Sequence, residues 1–389
     1  MQNNEKYFKF ILLIFSSFLG IFILNFVIDY FIYQKNYESK YYVNNPNYNT
    51  KIIEINNSED EIYPNLGSLI TNNELTLIIS KNKLINFGDI PNSKIVLCNE
   101  DGKYVFFNSD KFGFRNNNEN YISEDFKNGK MPVLIGDSFG LGVCVNSEVY
   151  LKNIKDKIIN LSVSGSGPIS QAALLNEYIN KYNTEKIIWL FYEGNDMLDL
   201  EIEKKNLIFQ KYLTKYDNWP NLKYFDNIKK NEKILADYVN KIKKNSDNNE
   251  TSFKEIKYGK DFSLIRLIKL TAIRNIFRNN KNSNNYGSAK NLVSYFETFD
   301  VINKILVNKK IEVNMVFLPS YKTIQNGKVN GSIKDIKNIL EFNYDNVIVY
   351  NFDEHLIKKF QKGNVYINPR SHFSKDAYKE LYLYLENII

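Results

Sequence analysis

From residue 131 onward, short apolar runs alternate with longer amphipathic stretches. Five apolar runs have the length of buried strands, and helical stretches such as 170–182 and 288–310 separate them. Continuous apolar strands that alternate with helices are typical of a parallel sheet covered on both faces. We therefore predict an α/β domain over residues 126–389. The five predicted strands are 131–139, 158–165, 186–196, 311–320 and 346–352.

The N-terminus has a different pattern, a single long apolar run. The residues from Phe10 to Ile28 carry no charge, and two serines and one asparagine are the only polar interruptions. As a helix this run would be about 28 Å long, which matches the hydrocarbon thickness of a bilayer. The run is too long for a signal peptide. We predict a single-pass membrane anchor over residues 1–33, and a buried helix of a soluble domain is the alternative.

Residues 34–125 are predicted to form a linker and an extension that packs on the α/β domain. The first part, 34–75, is rich in Tyr, Asn and charged residues and shows little periodicity. Further along, Asp101-Gly102 separates two β-prone runs, which is the signal of a hairpin.

Residues 201–287 interrupt the α/β pattern with Lys- and Asn-rich, mostly helical sequence, which we interpret as an insertion. Its lysines and tyrosines fit two interpretations. The insertion could be a lid or wall against a long glycan, because aromatic faces suit sugar rings, or a solvated helical pair with ordinary surface charge. The residues concerned include Lys204, Lys205, Tyr212, Lys215 and Tyr216.

The charge balance and the small numbers of Cys and His exclude several classes of binding and metal site. The 51 Lys and Arg exceed the 44 Asp and Glu only slightly, and the lysines are scattered, so a nucleic-acid-binding surface is not expected. Two cysteines exclude a disulfide-dense scaffold and a four-cysteine zinc site. Cys98 and Cys144 form either a disulfide outside the cytoplasm or two unpaired small apolar side chains. Only His355 and His372 are available for histidine-dependent chemistry, so a three-histidine metal site is impossible.

Three loops with glycine and polar residues follow the first three predicted strands. In an open parallel sheet the ligand crevice lies outside the carboxyl ends of the strands, so all three loops should face one crevice. A histidine, His372, stands at the start of the final amphipathic helix. The three loops are 136–139 (GDSF), 164–168 (SGSGP) and 194–196 (GND).

Each of these residue types has a use in nucleophilic catalysis. Ser138 stands on the turn after a buried strand, and it needs a base to become a nucleophile. His372 is the natural base, because a neutral imidazole near pH 7 can accept the hydroxyl proton. His355, in a helical stretch, is the alternative base.

A developing oxyanion needs hydrogen-bond donors that are already in place. The backbone N–H groups of Ser138 and Gly165 and the side-chain amide of Asn195 are the predicted donors. A glycine at 165 would let the backbone approach the substrate closely. Gly167 is the alternative donor, with Gly165 then serving only as a turn residue.

Two carboxylates beside the site, Asp137 and Asp196, raise the question of a metal ion. Asp is favoured in such turns because it bonds to its own backbone. We therefore interpret both residues as stabilising their loops. The prediction includes neither a metal nor a cofactor.

GDSF, a glycine-bearing second loop, GND and a C-terminal histidine follow each other in the block order of the SGNH (GDSL) hydrolase superfamily. The chain resembles this family well over about 131–200 and loosely over 311–389. The resemblance implies a three-layer, flavodoxin-like fold and a membrane-anchored bacterial branch that is linked to modification of envelope glycans or exopolysaccharides. It implies these roles: Ser138 as nucleophile, Gly165 and Asn195 in the oxyanion hole, and His372 as base.

The last block departs from the family pattern. The family carries an Asp two or three residues before its histidine to orient the imidazole, and here Arg370 and Pro369 occupy those positions. Asn368 could orient a ring by hydrogen bonding. Asp353, after the fifth strand, is a second candidate. A Ser–His dyad without an orienting residue is the third option.

These features predict a serine esterase or O-acyltransferase that acts through an acyl-serine on ester groups, acetyl in the first place, of cell-envelope or exported glycans. It is expected at the bacterial cytoplasmic membrane, with residues 34–389 outside the cytoplasm. A multi-spanning membrane acyltransferase would be its partner in acyl transfer. The alternative function is that of a catalytically inactive SGNH fold retained as a glycan-binding or assembly component of an export complex.

Overall fold

The structure, a computed structural model, divides into two compact units. The first comprises Met1–Asn45 and Lys244–Asn285, and the second comprises Pro46–Lys243 and Tyr286–Ile389. The residues that the structure describes are 2–28, 62–67, 87–98, 105–207, 209–213, 219–230, 232–237, 270, 289–360, 365–367 and 371–389.

In the first unit, Gln2–Ile28 form one α-helix, α1, which includes the apolar run. Its side chains Phe15 and Phe18 are exposed, whereas several others, among them that of Phe10, lie outside the described residues. Taking only the residues that the structure describes, no helix combines the length and the apolarity needed to cross a membrane. The membrane anchor over 1–33 stays a prediction.

The second unit begins with a small three-stranded sheet. It consists of β1 (Ile62–Pro64), β2 (Lys94–Cys98) and β3 (Val105–Asn108). β2 runs parallel to β1 and antiparallel to β3. The antiparallel pair confirms the predicted hairpin, and Asp101-Gly102 of its turn lies outside the described residues.

All five predicted strands of the α/β domain are present in one parallel sheet. The order across the sheet is β5-β4-β6-β7-β8. In doubly wound sheets with this flavodoxin-like order, the ligand crevice lies where the order reverses, here between β4 and β6. The strands are β4 (Val133–Ile135), β5 (Ile159–Asn160), β6 (Lys186–Tyr192), β7 (Glu312–Leu318) and β8 (Val347–Tyr350).

Helices connect these strands and complete the unit. These helices include α2 (Glu124–Lys127), α3 (Ser138–Leu141), α4 (Pro168–Ile179), α5 (Asp196–Glu203), α6 (Ala289–Asn308), α7 (Tyr321–Asn326), α8 (Gly331–Asn343), α9 (Phe352–Phe360) and α10 (Lys375–Glu386). Three 3₁₀ turns are added at Asn118–Ile122, Phe209–Leu213 and Tyr224–Asp226.

The sheet is apolar on both faces. Successive side chains of a strand point to opposite sides, and these strands are apolar at consecutive positions. Along β6, Trp189 and Phe191 pack into one core with α4, α5, α6 and α8, and Ile188 and Leu190 pack into another with α9 and α10. The predicted α/β class with helices on both faces of a parallel sheet is thus confirmed.

The described part of the 201–287 insertion packs more tightly than a solvated helical pair would. Tyr212 and Phe225 are buried in the core that contains α4 and α6. Neither interpretation of the insertion expected a buried Tyr212, whose ring packs edge-to-face with the indole ring of a tryptophan in the same core. Lys215 and Tyr216 lie outside the described residues.

The extension contacts the α/β domain through apolar side chains and one covalent bond. Phe114 is buried in the core with α4 and α6, and Phe107 packs against Leu141 of α3. Cys98, the last residue of β2, is bonded to Cys144. Of the two alternatives that the sequence left open for the cysteines, the structure has the disulfide.

Candidate active site

Ser138 begins α3 just after β4, which lies between β5 and β6 in the sheet. Asp137 caps this short helix, because its Oδ1 accepts a hydrogen bond from the N–H of Phe139 at 2.9 Å. The other oxygen of Asp137 lies 3.5 Å from Ser138 Oγ. Asp137 therefore bonds to its own loop, as predicted, and it also contacts the candidate nucleophile.

The two glycines of the second loop, both candidate oxyanion donors, differ in conformation and in hydrogen bonding. Gly165 has a φ of +73°, a left-handed conformation that favours glycine. The Gly167 N–H donates to Glu203 Oε1 at 2.8 Å, and a Cβ at position 167 would lie 2.7 Å from Glu203 Oε2. Gly165, in contrast, donates its N–H to no partner within the described part of the chain. Of the two candidate amides, that of Gly167 is therefore the one already bonded to a side chain.

The third loop places Asn195 at the start of α5. The side chain of Asn195 acts on Asp137 as a hydrogen-bond donor that lowers the pKa of this carboxyl, so the third loop interacts with the first. An amide nitrogen carries two protons, so the Asn195 side chain can donate to a second acceptor as well. The Asn195 Oδ1 is buried without a hydrogen-bond partner among the described residues. Asp196 Oδ2 accepts from the Tyr192 N–H at 2.8 Å, so this carboxylate bonds to its own loop, as predicted.

The C-terminal loop brings His372 to the same edge of the sheet. Tyr366 and Phe373 form an antiparallel bridge that frames the histidine, and the Ile367 N–H donates to the His372 carbonyl at 3.0 Å. The imidazole lies 5.2 Å from the Phe139 ring, centroid to centroid. His372 also interacts electrostatically with Asp137. The loops of Ser138, Asn195 and His372 thus meet around Asp137.

The candidate nucleophile Ser138 and the candidate base His372 do not share a hydrogen bond in the described part of the chain. Within the described residues, the hydrogen bond of Ser138 Oγ is to Asp137 and not to the imidazole. Catalytic hydrogen bonds are often long in the absence of substrate and shorten when it binds.

Of the two residues that were candidates for orienting the His372 imidazole, one is bonded elsewhere and one lies outside the described residues. Both carboxylate oxygens of Asp353 bond to Lys337 Nζ, at 2.8 and 2.6 Å, in a buried ion pair. Asn368 lies outside the described residues. The second histidine, His355, pairs through Nε2 with Glu380 of α10 at 2.6 Å. Asp353 and His355 are therefore committed to partners of their own.

No protein-family model, no curated protein and no solved structure matches this chain. The resemblance to SGNH hydrolases therefore rests on the four sequence blocks and on where the fold places them.

Buried carboxyl groups surround the second and third loops, and the sequence analysis missed two of them. Burial raises the pKa of Asp199 to about 8 and that of Glu203 to about 7. Burial also raises the pKa of Asp137, although the Phe139 N–H bond and His372 act in the opposite direction. Positions 195, 199 and 203 are spaced by four, and that spacing on a helix could have shown that Asp199 and Glu203 share a face with Asn195.

Glu203 has a clear structural role. Its carboxylate accepts from the N–H groups of Gly167, Ile169 and Ser170 at 2.8, 2.9 and 3.2 Å, so it caps the first turn of α4. Within the described residues, no group of three or more His, Cys, Asp or Glu side chains is arranged to hold a metal ion.

Proposed function

We propose that this chain is a membrane-anchored serine esterase or O-acyltransferase of the SGNH type. The observation that carries the proposal is the position of Asp137, which contacts Ser138 and Asn195 and interacts with His372. These residues come from three separate parts of the chain. Their meeting at the switch point of the sheet, where ligands bind in such folds, supports a catalytic site.

In the proposed reaction, Ser138 Oγ attacks the carbonyl carbon of an ester, and His372 takes the hydroxyl proton. The carbonyl oxygen becomes an oxyanion, which the N–H groups of Ser138 and Gly165 and the amide of Asn195 stabilise. The C–O bond to the alcohol then breaks, and the imidazolium returns its proton to the leaving oxygen. The product of this half-reaction is an acyl-Ser138.

The second half-reaction decides between the two activities. An acceptor hydroxyl loses its proton to His372 as its oxygen attacks the acyl carbon, and Ser138 leaves with that proton. Water as the acceptor gives an esterase, and a sugar hydroxyl gives an O-acyltransferase. We propose short acyl groups, acetyl in the first place, on envelope or exported glycans. A membrane acyltransferase would supply them in the transfer reaction, and no cofactor is needed.

Two observations support the proposed location at the bacterial cytoplasmic membrane, outside the cytoplasm. Leu13 and Phe15 of the uncharged run are 64% and 68% exposed on α1, as expected for side chains that face lipid. The Cys98–Cys144 disulfide belongs to oxidising compartments outside the cytoplasm.

A catalytically inactive SGNH fold, retained for glycan binding or assembly of an export complex, is the second candidate. The commitment of Asp353 to Lys337 favours it, because this carboxylate is then not free to orient His372. Losing an orienting Asp can cost about 10⁴-fold in rate.

The test is labelling of the purified full chain with a fluorophosphonate probe, read by mass spectrometry of the peptide that contains Ser138. We expect labelling of the wild type, none of Ser138→Ala, and a loss of about 10³-fold or more in His372→Ala. His355→Ala is the matched control and should label at the wild-type rate. Folded wild-type chain without any labelling would favour the inactive SGNH fold.

A further inference from the structure

The turn that carries the nucleophile is held from outside the α/β domain by a buried arginine. Arg115, just after the small sheet, is 4% exposed. Its guanidinium donates to the carbonyl oxygens of Leu141, Gly142 and Val145 at 3.2, 2.8 and 2.7 Å. These carbonyls lie at the end of the turn that Ser138 begins. One side chain therefore holds that end of the turn by three hydrogen bonds.

The surroundings of Arg115 make this contact difficult to replace. Within the described residues the guanidinium pairs with no carboxylate, and it lies 3.7 Å from the ring centroid of Tyr150 and 5.5 Å from that of Phe107. A buried cation is costly unless its N–H groups are bonded. The planar guanidinium can reach several carbonyls at once, whereas a lysine ammonium on its flexible stem cannot reproduce that geometry.

The next residue, Asn116, ties the same segment to the strand before the second loop. Its Oδ1 accepts from the Asn160 N–H at 2.7 Å, and its Nδ2 donates to the Asn160 carbonyl at 3.0 Å. The side chain of Asn160 in turn donates to the Gly140 carbonyl at 2.8 Å and accepts from the Ser162 N–H at 2.8 Å. Asn116 thus bonds the edge of the sheet as a strand would, and it connects both loops.

A covalent bond reaches the same turn from the same side. The disulfide from Cys98 of β2 ends on Cys144, one residue before the Val145 carbonyl that Arg115 binds. The extension therefore holds the nucleophile turn by a disulfide and by three charge-assisted hydrogen bonds.

We infer that Arg115 and Asn116 are positioning residues of the site: they fix the turn of Ser138 against the loop of Gly165, and so set where the nucleophile stands relative to the oxyanion donors. The inference rests on the proposed function. It adds that the extension, and not the α/β domain alone, determines the geometry of catalysis.

A positioning role predicts a particular kinetic pattern. The polar groups of Arg115 bond to backbone carbonyls and those of Asn116 to the Asn160 backbone, so substrate binding should change little when one side chain is lost. The catalytic step should slow, because a shift on the order of 1 Å between reacting groups can cost about 10²-fold in rate. A lower kcat at nearly constant KM is therefore expected.

The experiment compares Arg115→Met, Arg115→Lys and Asn116→Ala in the purified full chain, with p-nitrophenyl acetate hydrolysis and the rate of fluorophosphonate labelling at Ser138 as readouts. We expect kcat and the labelling rate to fall about 10-fold or more in Arg115→Met, with KM within about 2-fold. Asn116→Ala should show the same pattern to a smaller extent, and Arg115→Lys should restore part of the loss.

Lys337→Met is the matched control, because Lys337 is also a buried cation, bonded to Asp353 and 5.1 Å from the Phe317 ring centroid. It should lower the melting temperature without slowing labelling of the folded chain. Wild-type labelling rates in folded Arg115→Met, or in Arg115→Lys and Asn116→Ala if Arg115→Met does not fold, would overturn the inference alone. A wild-type chain without labelling would overturn the proposed function and this inference with it.

Discussion

The two halves of the candidate site are held in place by different interactions. The serine side, which we define as the loops 136–139, 164–168 and 194–196, is joined by polar bonds. Ser166 Oγ donates to the Gly136 carbonyl at 2.9 Å, which joins the second loop to the first. Asn195 joins the third loop to the first through Asp137, and Glu203 fixes the second loop from α5.

The histidine loop, which we define as residues 365–367 and 371–374, is held by its own backbone, by aromatic packing and by the Tyr366 hydroxyl, which donates to the Pro319 carbonyl. Two of its backbone hydrogen bonds are internal to the loop. The rings of Phe373 and His372 lie 4.7 and 5.2 Å from the ring of Phe139, which is the residue after Ser138.

The difference teaches how precisely each half is positioned. Hydrogen bonds fix both the distance and the direction between groups, so the serine side can present its donors in one geometry. Ring packing has broader angular preferences, so the contacts of the Phe139 ring with the histidine loop fix direction less strictly than those hydrogen bonds do. The histidine loop should therefore tolerate changes that the serine side does not.

The largest effect is expected from breaking the polar connection of the serine side at Asn195. Asn195→Ala removes the proposed oxyanion donor and its interaction with Asp137, so kcat of ester hydrolysis should fall about 10²- to 10³-fold with little change in KM. Steady-state kinetics on p-nitrophenyl acetate measure this. Asn314→Ala is the control, because Asn314 is fully buried and its Oδ1 also lacks a partner among the described residues. Equal losses in both variants would contradict the role of Asn195.

A smaller effect is expected on the histidine loop when its aromatic support is removed. Phe139→Leu keeps an apolar side chain but loses the ring against which His372 rests, so labelling of Ser138 should slow about 10-fold. Phe191→Leu is the control, since this ring is buried in the core on the opposite face of the sheet. If Phe139→Leu slowed labelling as strongly as Asn195→Ala, the two halves would be equally strict and the comparison would fail.

The smallest effect is expected on the pH dependence of the free energy of unfolding, to which the buried carboxyl groups near the serine side contribute. Burial raises the pKa of Asp199 from 3.8 to about 8, so the folded chain keeps a proton that the unfolded chain releases near pH 4. The free energy of unfolding should therefore fall as the pH rises from about 4 to about 8. Asp199→Asn imitates the protonated form and should reduce this fall by about 1 kcal/mol or more.

Urea unfolding at pH 5 and pH 9 measures the Asp199 effect. The exposed Asp376, on the first turn of α10, offers Asp376→Asn as the control for the loss of one negative charge. An unchanged fall in Asp199→Asn would show that Asp199 is not the group responsible.

Much of the site could be predicted because each block lies within a few consecutive residues. A buried strand followed by GDSF or GND can be recognised from its own residues as a strand that ends in a polar loop. The parallel sheet then places both loops at one edge. The roles of Asp137 and Asp196 in their own loops could also be predicted, because Asp favours such turns. The burial of Tyr212 could not, since nothing in the local pattern shows which helix covers a ring.

The sequence by itself determined the α/β class, the five strands and the order of the candidate site blocks, because hydrophobic periodicity and turn chemistry are local properties. Only the tertiary structure decided which side chain accepts from the Gly167 N–H and which carboxylate binds Lys337. It also decided that Arg115 donates to the carbonyls of the turn that follows Ser138. Those partners lie 36, 16 and 26 to 30 residues apart in the chain. Contacts at such separations depend on how the elements pack, and no short stretch of sequence contains that information.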